Sequence, residues 1–302
     1  MSLHVFANIV TGFGTAANNR GETEGNITTL QKLIWKGQPH TTVSAEAIRF
    51  ALRRLLADSE PTNRRWDELQ RANVWEDHQF IGWAKAKGKV FIDDDLLGFM
   101  TAEAANEEGK AGSANVRRAV LEVSRAVSLT PWPGDFTFNA ASPGATPSAA
   151  KKGSNPVPYG TEMHATRYQY GFALTPERLR DPSRAAAAIA ALCALGTVAG
   201  NHGRFLFDFS PDAVILRITD DPAPRLLYCF DSDDDGQALH ARSLLARLAA
   251  GDITIDELIV GVSDLECPLA RNCKEARLNV FGVKAAAQQA VARINESLSV
   301  KG

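Results

Sequence analysis

Val43-Ser44-Ala45-Glu46-Ala47-Ile48-Arg49-Phe50-Ala51-Leu52-Arg53-Arg54-Leu55-Leu56 is the clearest helix in the chain, and the rest of the sequence is organised around it. Ser44 stands at the N-cap with Glu46 in the first turn, and Ala47, Ile48, Ala51, Leu52, Leu55 and Leu56 recur at helical spacing before Asp58–Pro61 ends the run. Upstream, Leu3–Phe13 alternates with β-formers and reads as a strand, and the Gly- and Asn-rich stretch Gly12–Gly25 reads as a loop. Downstream the pattern breaks up: Trp66, Trp75 and Trp83 lie among charges, a strand is expected near Val90–Leu97, and Glu107–Ser113 reads as a flexible turn. Residues 58–118 are therefore expected to be an inserted subdomain.

Thr130–Pro158 holds six prolines, which exclude a packed helix and disfavour a central strand, so a long projecting loop or irregular hairpin is expected. Order returns with a strand at Arg167–Leu174 and an Ala-rich helix opened by Asp181-Pro182 and running to about Ala199. After the loop Gly200–Arg204 come a strand pair at Phe205–Phe209 and Ala213–Ile218 and a further strand at Leu226–Phe230. A helix at Ala238–Ala250, a strand at Glu257–Val262 and a terminal helix at Val283–Leu298 complete the pattern. The order β, α, β, β, α, β with insertions predicts an α+β, ferredoxin-like sheet with helices on one face.

The 302 residues are 45% hydrophobic and 23% charged, a folded globular composition, and the formal net charge of -2 provides no protein-wide field for a polyanion. Cys193, Cys229, Cys267 and Cys273 have neither zinc-ligand nor disulfide-framework spacing. No metal or cofactor is expected. The start Met1–Val5 has no signal-peptide pattern and no apolar run approaches the roughly 18 residues of a membrane span, so a cytoplasmic location without a membrane partner is expected. Gly12-Phe13-Gly14-Thr15-Ala16-Ala17 matches a dinucleotide-binding loop, but Asn18–Gly21 continues the loop where a helix must open. Asp231–Gly236 copies the start of a calcium loop, yet its twelfth position is Arg242 where a bidentate Glu is needed.

Charge is uneven along the chain. Thr29–Ala57 carries net +4, Lys110–Arg180 net +5, and Phe205–Gly302 net -5. Arg49 and Arg53 are i, i+4 neighbours on one helix stripe, where they either bracket successive phosphates or form a solvated basic face.

Asn19-Arg20-Gly21-Glu22, Asn26–Leu30 and Pro39–Arg49 with Arg53 resemble the DevR branch, within the RAMP superfamily, of the repeated backbone subunit of type I CRISPR Cascade complexes. Asp93–Met100, Val123–Pro131 and Tyr159–Tyr170 resemble further family segments in the same order. The resemblance implies a right-hand shape. An RRM-like palm would comprise 1–57, 119–127 and 167–302 with the C-terminal elements, a fingers insertion 58–118 with a palm strand near 90–97, and a thumb 128–166. It implies copies polymerised along a guide RNA that pairs with target DNA in antiviral defence, beside other Cascade subunits: a cap on the 5′ handle, and large and small subunits. The implied guide-binding residues are Asn19, Arg20, Lys36, Gln38, Ser44, Arg49, Arg53, Asn201, His202 and Arg204, and the implied thumb residues are Phe136, Phe138, Lys151 and Lys152.

Each residue has a plain structural alternative. Asn19 serves equally to cap a turn, Ser44 to cap its helix and His202 as a hydrogen-bonded loop residue; Phe136 and Phe138 either wedge against a base or tuck into the palm. Two rival functions stand beside the scaffold. One is a ribonuclease backbone like the type III relatives, which place an aspartate in the loop before the first palm helix; here residues 25–43 contain no Asp or Glu, leaving Asp93–Asp95 as substitutes. The other is an unrelated RRM-like RNA-binding module, disfavoured by the missing aromatic RNA-binding strand motif.

Overall fold

A computed structural model of the protein describes residues 2–17, 23–84, 88–103, 113–144, 156–198, 206–233 and 236–299. The first strand, His4–Thr11, is buried on both faces from Val5 onward. Its period of two sends Val5, Ala7 and Ile9 into one hydrophobic cluster and Phe6 and Val10 into another. The neighbouring strand Pro211–Thr219 divides the same way, with Val214, Leu216 and Ile218 opposite Ala213 and Ile215. A sheet apolar on both faces needs cover on both. Helices Ala45–Leu56, Arg184–Cys193 and Val283–Ser299 cover one side, and Arg242–Ala249 with Pro268–Glu275 cover the other, which corrects the expectation of helices on a single face.

The sheet has nine strands in the spatial order Val280–Gly282, Leu258–Val262, Pro211–Thr219, His4–Thr11, Tyr168–Leu174, Ala126–Ser128, Gln38–Val43 and Lys32–Trp35, with Leu121–Val123 also paired to Tyr168–Leu174. Only the pair Leu258–Val262 with Val280–Gly282 is parallel. A second sheet projects beyond this one. It orders Phe136–Ala141, Val157–Thr166, Ile27–Thr28 and Thr23–Glu24, and Gly14–Ala17 also pairs with Val157–Thr166. The expected loop Gly12–Gly25 thus contains strands, and the Pro-rich stretch is an antiparallel hairpin at its base, its residues 145–155 lying outside the described ones.

Four other expectations are corrected. The expected strand near Val90–Leu97 is a short helix, Ile92–Leu97. Three successive aspartates are poor strand formers, and they favour the first turn of a helix. Gly98 ends it at φ +68, where a Cβ would lie 2.4 Å from the Arg117 carbonyl. Leu226–Phe230 is irregular because its backbone bonds to side chains instead of a ladder: Tyr228 N donates to Asn8 Oδ1 (3.2 Å), and Phe230 N to Gln169 Oε1 (3.2 Å). Residues 206–209 form no strand; Phe209 N donates to the Gly196 carbonyl, and Phe207 and Phe209 pack on Tyr168. The Ala-rich helix ends at Cys193, short of the expected Ala199.

The three aspartates are buried and hold the inserted region to the helices Ala45–Leu56 and Arg184–Cys193. Asp93 accepts from the backbone of Asn63 (2.7 Å) and Arg64 (3.1 Å) and from Arg53 Nε (3.0 Å). Asp94 accepts from Asn63 Nδ2 (2.9 Å). Asp95, fully buried, receives Arg117 Nη2 (2.7 Å), Arg184 Nη1 (3.1 Å) and the backbone of Arg180 (3.0 Å) and Asp181 (3.2 Å). Removing one partner of a buried ion pair costs about 3–5 kcal/mol, because the other charge stays buried and unpaired. Asp95→Ala is therefore expected to lose that amount in urea denaturation, and Asp95→Asn, which keeps an acceptor, to lose less.

Candidate nucleic-acid interface

At the far edge of the main sheet, strands Lys32–Trp35 and Gln38–Val43 are joined through Lys36 (φ +51) and Gly37 (φ +81), the positive-φ pair that a two-residue type I′ hairpin requires. This turn presents Lys36 and Gln38 to solvent at the tip. Six residues past Gln38 the backbone is still extended at Ser44 (φ -68, ψ 149), and the Ser44 hydroxyl accepts from Ala47 N at 3.2 Å. Ser44 is buried and caps the helix, a contribution of about 1 kcal/mol. One continuous segment therefore carries Lys36, Gln38, Ser44, Arg49 and Arg53.

The two arginines are not a free pair of phosphate clamps. Arg49 donates from Nη2 to the Leu97 carbonyl, and Arg53 pairs with Asp93, both turned toward the acidic helix. Burial and the neighbouring Arg53 charge lower the pKa of Arg49. The residues share a stripe as their spacing predicts, but that stripe faces a buried carboxylate cluster the spacing does not reveal.

Arg125 is a basic residue that the sequence reading passed over as a site. It lies exposed beside the hairpin, donating from Nη1 to Thr42 Oγ1 (3.2 Å) and Gln31 Oε1 (3.3 Å), while its carbonyl accepts from Tyr228 OH (2.8 Å). The Tyr228 ring packs on Trp35 at 5.0 Å, so a basic and aromatic face spans this edge. A lone arginine among β-forming residues in Val123–Pro131 was the available signal.

The projecting hairpin is rooted in the same edge. Lys32 pairs with Glu162 and lies 4.1 Å from the centre of the Trp132 ring, whose indole N–H donates to the Met163 carbonyl (3.0 Å). Phe136 and Phe138 share one face of their strand at 54% and 76% exposure, so neither tucks into the main sheet. The root of the hairpin also holds a buried polar network. Thr41 Oγ1 shares hydrogen bonds with His164 Nδ1 (2.7 Å) and Tyr168 OH (2.8 Å), and Thr130 Oγ1 with His164 Nε2 (3.3 Å) and Thr166 Oγ1 (2.8 Å).

Asn19, Arg20, Lys151, Lys152, Asn201, His202 and Arg204 lie outside the described residues. Neither false motif finds its context. Gly14–Ala17 is a strand rather than a helix start, and Arg242 itself pairs with Asp231 and Asp233. Among the described residues no group of three His, Cys, Asp or Glu side chains is placed to hold a metal ion, and no helix is long and apolar enough to cross a membrane.

Burial pushes the His164 pKa down to about 4 from 6.5. A depressed native value means that the folded state favours neutral imidazole, so this contribution is complete above pH 6.5 and is lost as pH falls toward 4. The expected loss is of order 2–3 kcal/mol over that window. His164→Gln should flatten the decline between pH 6.5 and 4.5 in urea titrations compared with the unsubstituted protein.

Comparison with known proteins extends these observations. The family profile described as CRISPR-associated negative auto-regulator DevR/Csa2 matches residues 11–192. The CRISPR-associated protein Cas7/Cst2/DevR of Myxococcus xanthus (strain DK1622) is 66% identical over 262 residues, covering 86% of this chain and 87% of that protein. Among solved structures, a chain of a CRISPR RNA-guided surveillance complex superposes with a TM-score of 0.58 at 15% identity, covering 96% of this chain and 99% of the other. A chain of a pre-nicking surveillance complex gives 0.58 at 13%, with 97% and 100% covered. At such identities the structural likeness speaks for the mixed α+β fold alone.

Proposed function

This chain belongs to the CRISPR-associated DevR/Csa2 family, and on that premise we propose that it is the non-catalytic, repeated backbone subunit of a type I Cascade surveillance complex. In this reading the main sheet and its helices are an RRM-like palm (1–57, 119–127, 167–302), residues 58–118 are the fingers, and the hairpin within 128–166 is the thumb. Copies polymerise along guide RNA in the cytoplasm, hold it independently of sequence and present it to target DNA, with handle-cap, large and small subunits as further partners.

One arrangement carries the proposal: a single edge of the sheet brings together an exposed basic turn and a projecting hairpin with two phenylalanines on one face. Lys36, Gln38 and Arg125 would meet backbone phosphate and ribose, as an arbitrary guide sequence requires, joined by Asn19, Arg20, Asn201, His202 and Arg204. Arg49 contributes through the donors not given to Leu97, and Phe136 and Phe138 meet bases, with Lys151 and Lys152 on phosphate. The ribonuclease reading has less support, since residues 25–43 contain no carboxylate and Asp93 and Asp95 accept hydrogen bonds from several elements.

The test begins with the RNA that co-purifies with the protein: discrete repeat-spacer species are expected, and heterogeneous RNA or none would count against the proposal. Lys36→Ala with Arg125→Ala should weaken binding to unrelated guide sequences alike and lower the salt slope by about 0.7 per lost phosphate contact. With Mg²⁺ the assembled protein should leave guide and target RNA intact; regularly spaced cuts abolished by Asp93→Ala would favour the ribonuclease.

A further inference from the structure

Between helix Ala45–Leu56 and the hairpin formed by Arg64–Asp67 and Ala72–Trp75 lies a cleft of about 280 Å³, away from the basic turn at Lys36. Its walls bring Arg53 and Arg54 from the helix together with Arg64 and Arg65 from the hairpin, and Phe50 and Trp66 complete them. Glu68 also lines it, and Arg65 lies 3.9 Å from Glu76, both ends of that pair exposed.

Two donors here have no partner among the described residues. Arg53 Nη1 and Arg64 Nε are buried and unbonded, a rare state for groups that never lose their protons at neutral pH. Arg54, at the rim, makes no hydrogen bond or ion pair among the described residues. Asp93 and Asp94 neighbour two of these arginines without lining the cleft. Asp93 accepts from Arg53 Nε and Arg64 N, and burial and the adjacent Asp93 push the Asp94 pKa up to about 7. Burial and the nearby Arg53 guanidinium lower the pKa of Arg64, against the opposing pull of Asp93 and Asp94. Phe50 and Trp66 are 37% and 40% exposed and meet edge to face at 6.4 Å, leaving ring surface open to a planar group.

We propose that this cleft is a second nucleic-acid site, taking one nucleotide of a single strand with its phosphate among Arg54, Arg64 and Arg65 and its base against Trp66. The inference rests on the nucleic-acid reading above. An acidic peptide would satisfy the guanidinium groups but would leave the paired rings unused; a nucleotide supplies both the anion and the plane. The strand is either guide RNA or the DNA paired with it.

The experiment uses the protein assembled on its guide in an expressing host. Arg54→Gln with Arg65→Gln, and separately Trp66→Ala and Trp66→Phe, change side chains that stand in solvent or half in it. Two quantities are read: guide RNA recovered per mass of protein, and the Kd for a fluorescein-labelled single-stranded DNA complementary to the guide. The charge variant and Trp66→Ala should each reduce one of these at least about fivefold, with Trp66→Phe restoring most of it. A loss confined to DNA affinity assigns the target strand, and a loss of recovered RNA assigns the guide. If neither quantity changes, the proposal is overturned and an acidic protein segment becomes the better occupant. Absence of nucleic acid from the unsubstituted protein would instead overturn the functional reading, and this proposal with it. Melting temperature verifies the fold, and the charge variant decides the matter should Trp66→Ala unfold.

Discussion

The carboxylate of Asp95, sealed from solvent and shared by Arg117, Arg184 and two backbone amides, is the junction on which the architecture depends. Its neighbours Asp93 and Asp94 reach the other way, to the start of the inserted region and to the first long helix. A six-residue helix therefore ties together four segments of the chain, around Arg53, Asn63, Arg117 and Arg184. Such a cluster persists only because its carboxylates find donors, Asp95 four of them; one missing donor leaves a buried charge unsatisfied. Asp93 also draws Arg53 inward, and the Leu97 carbonyl takes a donor of Arg49, so the acidic helix engages both arginines of the stripe.

The same logic operates at the edge of the sheet. A hairpin rich in proline cannot extend a central sheet, since each proline removes a donor. It is anchored by ladders to Gly14–Ala17 and Ile27–Thr28 and by side chains: Lys32 with Glu162, the Trp132 indole on the Met163 carbonyl, and the threonine and histidine network around Thr41. Ordering the base in this way leaves Phe136 and Phe138 exposed on one face. Exposed aromatic pairs on a projecting hairpin are costly in water unless something covers them, which is why the proposed function gives them bases to meet.

Much was legible from residue patterns. The Ser44 cap and its helix, the strands around His4–Thr11 and Tyr168–Leu174, and the terminal helix follow from periodicity and end signals within a dozen residues, because those signals are local. The family resemblance rested on short segments in a shared order, and the family profile and the Myxococcus relative agree with it. Asp93–Asp95 misled for a physical reason: three aspartates beside apolar residues look like a polar strand end until donors from four distant segments are seen around them.

By itself the sequence determined where helices begin, which runs are apolar, and that basic charge gathers in Thr29–Ala57 and Lys110–Arg180. Periodicity and composition are carried by neighbouring residues and need no partner. Only the tertiary structure decided which of those charges remain available. Arg53 and Lys36 are both single positive charges in one segment, yet Arg53 is paired beneath a cleft and Lys36 stands exposed at a turn tip. Their difference comes from a carboxylate forty residues away from Arg53 in the chain and 3.0 Å away in space, a distance that only folding sets.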